Sequence, residues 1–333
     1  MYFPLRKYMT GPRAASRTRP AAAMSRMARC RPLPADLRRD TLGGRQAGCR
    51  LALAIWQEPG GMVDGPRSGS FTEVSVPDGY ARFMLGQLFE PWAADLITRA
   101  SLKPGCLVLD VASGLGPVAR LAAQAAGPGG RVVASDISAA MLALASARPH
   151  GPGWAAIEYL QCPASAIAAG DDSFDVVLCQ HGLQFFPDRA AAAAEMRRVA
   201  RPGGTAVMST WAAERPLGLF GPMIEAAQET GIAEPFPGAF DAGSYCLSAA
   251  DLADLLQAAG FGDVGVQTVE LDATWPTAEA ATSALLGTPF GPLVSALPAD
   301  AQQQLRARLA SKLGDRAAGV TVRTVSNVAR GTK

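Results

Sequence analysis

The sequence predicts an α/β fold organised on a doubly wound, mostly parallel sheet with helices on both faces. Three observations lead there. Val108–Val111 followed by Ala112-Ser113-Gly114-Leu115-Gly116 and Pro117–Gln124 reads as strand, tight glycine turn and helix. The alternation of apolar strand and helix then repeats through Arg131–Asp136, Ile157–Gln161 and Ser173–Cys179. Ser173–Cys179 is apolar on both faces, as a central parallel strand is.

The elements follow in order. From Asp78 to Ala100 the pattern is helical. Tyr80, Phe83, Met84, Leu88 and Phe89 form one stripe, Trp92, Leu96 and Ile97 a second, and Pro91 marks a break between them. Lys103-Pro104-Gly105 turns into the first strand, and Gly127-Pro128-Gly129-Gly130 stops the helix after it. The second strand ends at Asp136, and a helix spans Ser138–Ala147. After the fourth strand, Asp188 caps a helix reaching Ala200, in which Glu195, Arg197 and Arg198 form a solvated face. Arg201-Pro202-Gly203-Gly204 is its stop and the turn into a fifth strand, Thr205–Thr210. Pro216–Phe240 is irregular, with four prolines. Ser248–Ala259 is an amphipathic helix, Val264–Asp272 the sixth strand, Thr277 and Ala299 begin helices, and Val320–Val328 is the last strand. No internal repeat is evident.

The glycine turn carries the chemistry. Two glycines let the backbone bend sharply and approach a ligand with no Cβ in the way, and the helix start offers free N–H groups. Gly114-Leu115-Gly116-Pro117-Val118-Ala119 fits G-x-G-x-x-A formally, which leaves an NAD(P)-dependent oxidoreductase as one reading. Asp110, four residues before Gly114, points elsewhere. A carboxylate there suits a ligand ammonium group and is a poor neighbour for a pyrophosphate, which favours S-adenosylmethionine. Asp136 lies about 20 residues beyond the glycines, where one carboxylate can hold both hydroxyls of a ribose. Its structural alternative is a cap for the helix that follows.

Four motifs carry a family resemblance: Val108–Gly116; Ser135-Asp136-Ile137-Ser138-Ala139-Ala140-Met141-Leu142; Ser173-Phe174-Asp175-Val176-Val177; and Arg198-Val199-Ala200-Arg201-Pro202-Gly203-Gly204. In this order and spacing, the chain from about Tyr80 onward resembles a class I S-adenosylmethionine-dependent methyltransferase. The family it resembles includes the ubiquinone/menaquinone biosynthesis methyltransferases. The resemblance implies a Rossmann-like, doubly wound, seven-stranded sheet, mostly parallel with an antiparallel last strand. It implies a cofactor site of Asp110, Ala112, Ser113, Gly114, Gly116, Asp136, Ile137, Met141, Ala164 and Gln180. Two departures stand out. The Asp that usually holds the adenine amino group is replaced by Pro163, leaving Ala164 or Ser165 to substitute, and Ala112-Ser113 stands where Gly-Cys or Ala-Cys is commoner.

A sulfonium methyl is already activated, so no nucleophile of the protein is required. A base is needed only if the acceptor must lose a proton. His181, in the loop after the fourth strand, is the candidate to remove that proton or orient the acceptor, or else to shape the pocket; Tyr80 stands behind it. Trp211, Phe220, Phe236 and Phe240 either line an acceptor pocket or pack an extra helix. The expected activity is methyl transfer to a small, apolar or aromatic metabolite, with a non-catalytic S-adenosylmethionine-binding protein as a further alternative.

Composition bounds the rest. Residues 1–50 hold twelve Lys/Arg against two acids, which leaves nineteen basic and twenty-seven acidic groups beyond them. The mildly acidic remainder disfavours a nucleic-acid partner. Residues 1–61 are expected to be a disordered, Arg-rich leader and residues 62–333 the methyltransferase domain, with 78–210 as cofactor core and 211–333 as acceptor-side insertion and sheet completion. A chain starting at Met62 is expected to keep fold and cofactor binding. No run of 18 apolar residues predicts a membrane span. Six scattered cysteines without C-x-x-C and two histidines argue for reduced thiols, a cytoplasmic setting and no metal site. The expected partner is a small-molecule acceptor, with a homodimer left open.

Overall fold

The computed structural model describes residues 80–215, 220–232, 246–286, 288, 290–314 and 319–333. The leader, the linker at 60–77, Phe236, Phe240 and the Tyr80 side chain lie outside the described residues.

A π-helical stretch, Tyr80–Phe89, runs directly into α1, Glu90–Ala100. Pro91 therefore does not break the helix as expected. It occupies the first turn of α1, where a missing N–H forfeits no intrahelical bond. Then come β1 (Leu107–Val111), α2 (Pro117–Ala126), β2 (Arg131–Asp136), α3 (Ala139–Ala147) and β3 (Ala156–Gln161). β4 (Phe174–Gln180), α4 (Arg189–Val199), β5 (Ala200–Ala212) and α5 (Phe220–Glu229) follow. The chain closes with β6 (Cys246–Leu247), α6 (Ala249–Ala258), β7 (Gly262–Trp275), α7 (Ala278–Leu286), α8 (Phe290–Ser295), α9 (Ala299–Lys312) and β8 (Val320–Thr332).

The sheet order is β3-β2-β1-β4-β5-β8-β7, with the two-residue β6 pairing β5 off this path. β1, β2, β3, β4 and β5 run parallel, and β8 is antiparallel to both its neighbours. This is the expected sheet with one short strand added. The order reverses between β1 and β4, so the crevice at their carboxyl ends is the natural ligand site of the fold.

Further expectations are corrected. Phe220–Glu229 is a regular helix inside the stretch expected to be irregular, with Met223, Ile224, Ala226 and Ala227 buried. β5 begins at Ala200, not Thr205, because Ala200 already pairs Phe174 across a bulge before the Pro-Gly-Gly turn. Gly203 N donates to Lys333 O at 2.8 Å, and Lys333 N to Gly204 O at 3.0 Å, so the chain end secures that irregular stretch. β7 and β8 are longer than expected because they zip along their whole length, from Gly262 opposite Thr332 to Trp275 opposite Val320. The face of α4 taken as solvated instead ties down a loop. The Arg198 guanidinium donates to Ile167 O at 3.0 Å and Ala169 O at 2.9 Å, while Glu195 accepts from Ile167 N at 2.9 Å.

Two apolar cores flank the sheet. One joins α1 and α2 to β1, β2 and β4 through Leu96, Val108, Val118 and Val132. The other packs the π-helical segment, α5, α7 and α9 around Trp92, Trp211 and Trp275. Among the described residues, no helix is long and apolar enough to cross a membrane.

Candidate functional site

A cleft opens at the carboxyl ends of β1, β2, β4 and β5. Part of its wall is the turn after β1. Gly114 and Gly116 have φ of 53° and 74°, and Ala112, a residue with a Cβ, also sits in the left-handed region at φ 55°. Ser113 N donates to Ser135 O at 2.9 Å, pinning this turn to β2.

Asp110 is buried at the end of β1. Its Oδ2 accepts from Ala119 N in the first turn of α2 at 3.0 Å, and its Oδ1 has no partner. Burial holds its carboxyl well above the usual carboxylate range, opposed by the Ala119 N–H and reinforced by the nearby Asp136 charge. Asp136 accepts from Gly114 N through Oδ2 and from Ser138 N through Oδ1, both at 2.8 Å. Burial raises its carboxyl too, and the N–H groups of Ser138, Gly114 and Ile137 partly offset that. The cap of α3 is Ser138, whose hydroxyl accepts from Met141 N at 3.3 Å; Asp136 is not that cap. Each Asp136 oxygen keeps a second lone pair for a ligand.

Of the residues expected to hold a cofactor, Asp110, Ala112, Ser113, Gly114 and Asp136 line the cleft, as do Ile137, Met141, Ala164 and, at the end of β4, Gln180. Gly116 is not among the lining residues. It caps α2, and a Cβ there would touch the Ala145 Cβ at 3.4 Å, so its work is the bend and the approach of α2 to α3. Pro163 and Ser165 line the cleft beside Ala164, in a turn closed by Ala166 N donating to Pro163 O at 3.1 Å.

Aromatic side chains also line the cleft: Phe89, Phe185, Phe186, Trp211 and Phe220. His181 lines it too, with φ 50°. Its ring stacks on Trp211 with centroids 3.8 Å apart and an interplanar angle of 11°, and meets the Trp92 ring edge-on at 5.5 Å. Nε2 lies 2.8 Å from Ser326 Oγ, while Nδ1 is buried without a partner. Burial lowers its pKa to about 3, so the ring is neutral across the physiological range. Gln180 Nε2 donates to Phe89 O at 3.1 Å, fastening the end of the π-helical segment to β4. Tyr80 opens that segment, and its side chain lies outside the described residues.

Ser326, Trp92 and Gln184 carry no local signal of a role here. Gln184 accepts from Trp211 N at 3.1 Å and so braces that ring. Each looks locally like ordinary strand, helix or loop; only the fold brings them against His181 and Trp211.

Comparison with known proteins agrees with this geometry. Residues 109–208 match the methyltransferase domain family. The chain is 36% identical over 141 residues to an uncharacterized protein of Mycobacterium tuberculosis, covering 42% of this chain and 49% of that one. It is 40% identical over 121 residues to a ubiquinone/menaquinone biosynthesis C-methyltransferase of Burkholderia mallei, covering 36% and 49%. The chain spans about half the length of the curated relatives it matches. Among solved structures, the YcgJ protein of Bacillus subtilis superposes with a TM-score of 0.49 at 19% identity, over 72% of this chain and 97% of that one. The strand order, the glycine turn and the family match agree on one point: residues 109–208 form a methyltransferase domain.

Proposed function

We propose that the protein transfers the methyl group of S-adenosylmethionine to a small apolar or aromatic acceptor by in-line displacement. The observation that carries this reading is that one cleft is lined both by the buried carboxylates and glycine turn of β1 and β2 and by aromatic rings. The residues present suit the donor. The unpartnered Oδ1 of buried Asp110 matches a ligand ammonium, and the buried Ser113 hydroxyl beside it also lacks a partner. In this reading Asp136 accepts from the ribose hydroxyls, and Ala112, Ser113 and Gly114 form the bend around the amino-acid moiety. Ile137, Met141 and Ala164 flank the adenine, with Pro163 and Ser165 in place of the carboxylate that relatives use there.

When bound, the donor supplies a methyl carbon that is electrophilic and a thioether that leaves neutral. The protein's own task is alignment, and oriented approach can remove roughly 7–11 kcal/mol of barrier. Gln180 holds the segment over the cleft to β4. His181 orients the acceptor as an uncharged ring, because burial penalises a proton held there. Tyr80 is the second candidate for acceptor contact. The reading places the protein in the cytoplasm, with no nucleic-acid partner.

Calorimetric titration with S-adenosylmethionine, S-adenosylhomocysteine and NAD, followed by a labelled-methyl screen of phenolic and quinol acceptors, tests it. Heat with the first two, none with NAD, and label transferred to an acceptor are expected. NAD binding without a response to S-adenosylmethionine overturns the reading in favour of an oxidoreductase. Donor binding with no transfer favours a non-catalytic binding protein.

A further inference from the structure

β8 turns two hydroxyls, Thr324 and Ser326, to one face of the sheet, and each meets an aromatic ring beside the cleft. Thr324 is fully used: its Oγ1 accepts from Trp92 Nε1 at 3.0 Å and donates to Leu271 O at 2.8 Å. Ser326 is fully buried, and among the described residues its hydroxyl has one partner, His181 Nε2. The His181 ring stacks on Trp211, and Trp92 stands beside the stacked pair, nearly perpendicular to both rings, so its orientation is fixed.

Two arrangements satisfy the 2.8 Å contact. If Nε2–H donates to the serine oxygen, the serine hydrogen is left in the sheet interior with nothing to meet, and the Nδ1 lone pair also goes unused. If the serine hydroxyl donates to Nε2, the Nδ1–H alone is left over. The second arrangement strands fewer groups, one ring N–H against a serine hydrogen and a ring lone pair. A histidine's tautomer is set by the bond its other nitrogen makes.

We propose that Ser326 is a positioning residue: its hydroxyl donates to His181 Nε2 and fixes the ring hydrogen on Nδ1, so that neither ring nitrogen is free to take a proton from the methyl acceptor. The acceptor this suits reacts without a base supplied by this ring. The proposal rests on the reading of His181 as the residue that orients the acceptor.

The chain has two histidines, His181 and the exposed His150, so isotope-labelled imidazole nitrogens give two sets of signals, assigned with His150→Asn. Long-range nitrogen–proton correlation spectra show which nitrogen carries the hydrogen. In the unaltered protein the hydrogen of His181 is expected on Nδ1. Ser326→Ala removes the donor and is expected to share the hydrogen between both nitrogens, and Ser326→Thr to restore it to Nδ1. A hydrogen on Nε2 in the unaltered protein, or an unchanged distribution in Ser326→Ala, overturns the proposal. Titration of the same samples with S-adenosylmethionine reports separately on donor binding, so failure of the tautomer assignment and failure of the methyltransferase reading are told apart.

Discussion

Gly182 and Ala112 offer a direct test of how the loops after β4 and β1 are joined. Gly182 has φ −94° and ψ −42°, a backbone that any residue adopts, so replacing it with alanine tests space alone. The new Cβ would stand 2.6 Å from Ala112 Cβ, 3.1 Å from Cys179 Sγ and 3.3 Å from Phe186 Cζ. The first of these belongs to a side chain with nowhere to rotate. Overpacking of this kind costs about 1–3 kcal/mol. Ala112 meanwhile sits at φ 55°, where a Cβ costs roughly 1–2 kcal/mol. Ala112→Gly recovers most of that, less about 0.4–1 kcal/mol for the greater freedom of glycine in the unfolded chain. The double variant loses the shortest contact altogether. Its stability should exceed the sum of the single effects by about 1–2 kcal/mol, within the range of contacting pairs. Urea unfolding followed by tryptophan fluorescence, with linear extrapolation, measures all four proteins. Additivity within about 0.5 kcal/mol, or a neutral Gly182→Ala, would refute the reasoning.

Three further outcomes follow from the buried charges. Asp110 and Asp136 are raised in the native state, so their contribution to stability is full below the unfolded carboxylate value and lost as pH rises through the raised one. An ammonium ligand favours charged Asp110, so donor affinity should rise with pH across that window and binding should release a proton; calorimetry in two buffers of different ionisation heat would show none if the carboxylate were uninvolved. His181 behaves oppositely: its native pKa of about 3 lies below the unfolded 6.5, so stability falls as pH drops from 6.5 toward 3, by up to about 1.4 kcal/mol per pH unit. His181→Gln should flatten that slope in urea midpoints taken across the series, and an unchanged slope would contradict the burial argument. Asp136→Asn sets an amide NH2 against the N–H of Gly114 or Ser138, and should weaken S-adenosylmethionine at least tenfold by calorimetry while leaving a folded sheet by circular dichroism; undiminished affinity would remove Asp136 from the donor site.

How much the sequence disclosed depended on the range of the interaction. The first four strands, the glycine turn and the carboxylates at 110 and 136 were legible because each is specified by a few consecutive residues. Pro91 was misread because proline is forbidden inside a helix yet welcome in its first turn, and only the position of α1 distinguishes the two. The start of β5 was missed because Pro-Gly-Gly looks like a stop until Lys333 is seen bonded to it. α8 lies in a stretch with no clear helical period. The surroundings of His181 were out of reach: Ser326 is 145 positions away in the chain, and Trp92 and Trp211 converge on the ring from opposite sides of the sequence.

In the proposed reading, Asp136 also bears on how the donor is received. By clasping the amides of Gly114 and Ser138 together, it makes the shape of the cradle a product of folding itself. An arriving cofactor meets walls already in place, so little of its binding free energy is spent on freezing loops, and affinity is left to depend on the contacts alone. In the proposed reading, the strand that ends in this one acid thus serves as a fastener first and a ligand second.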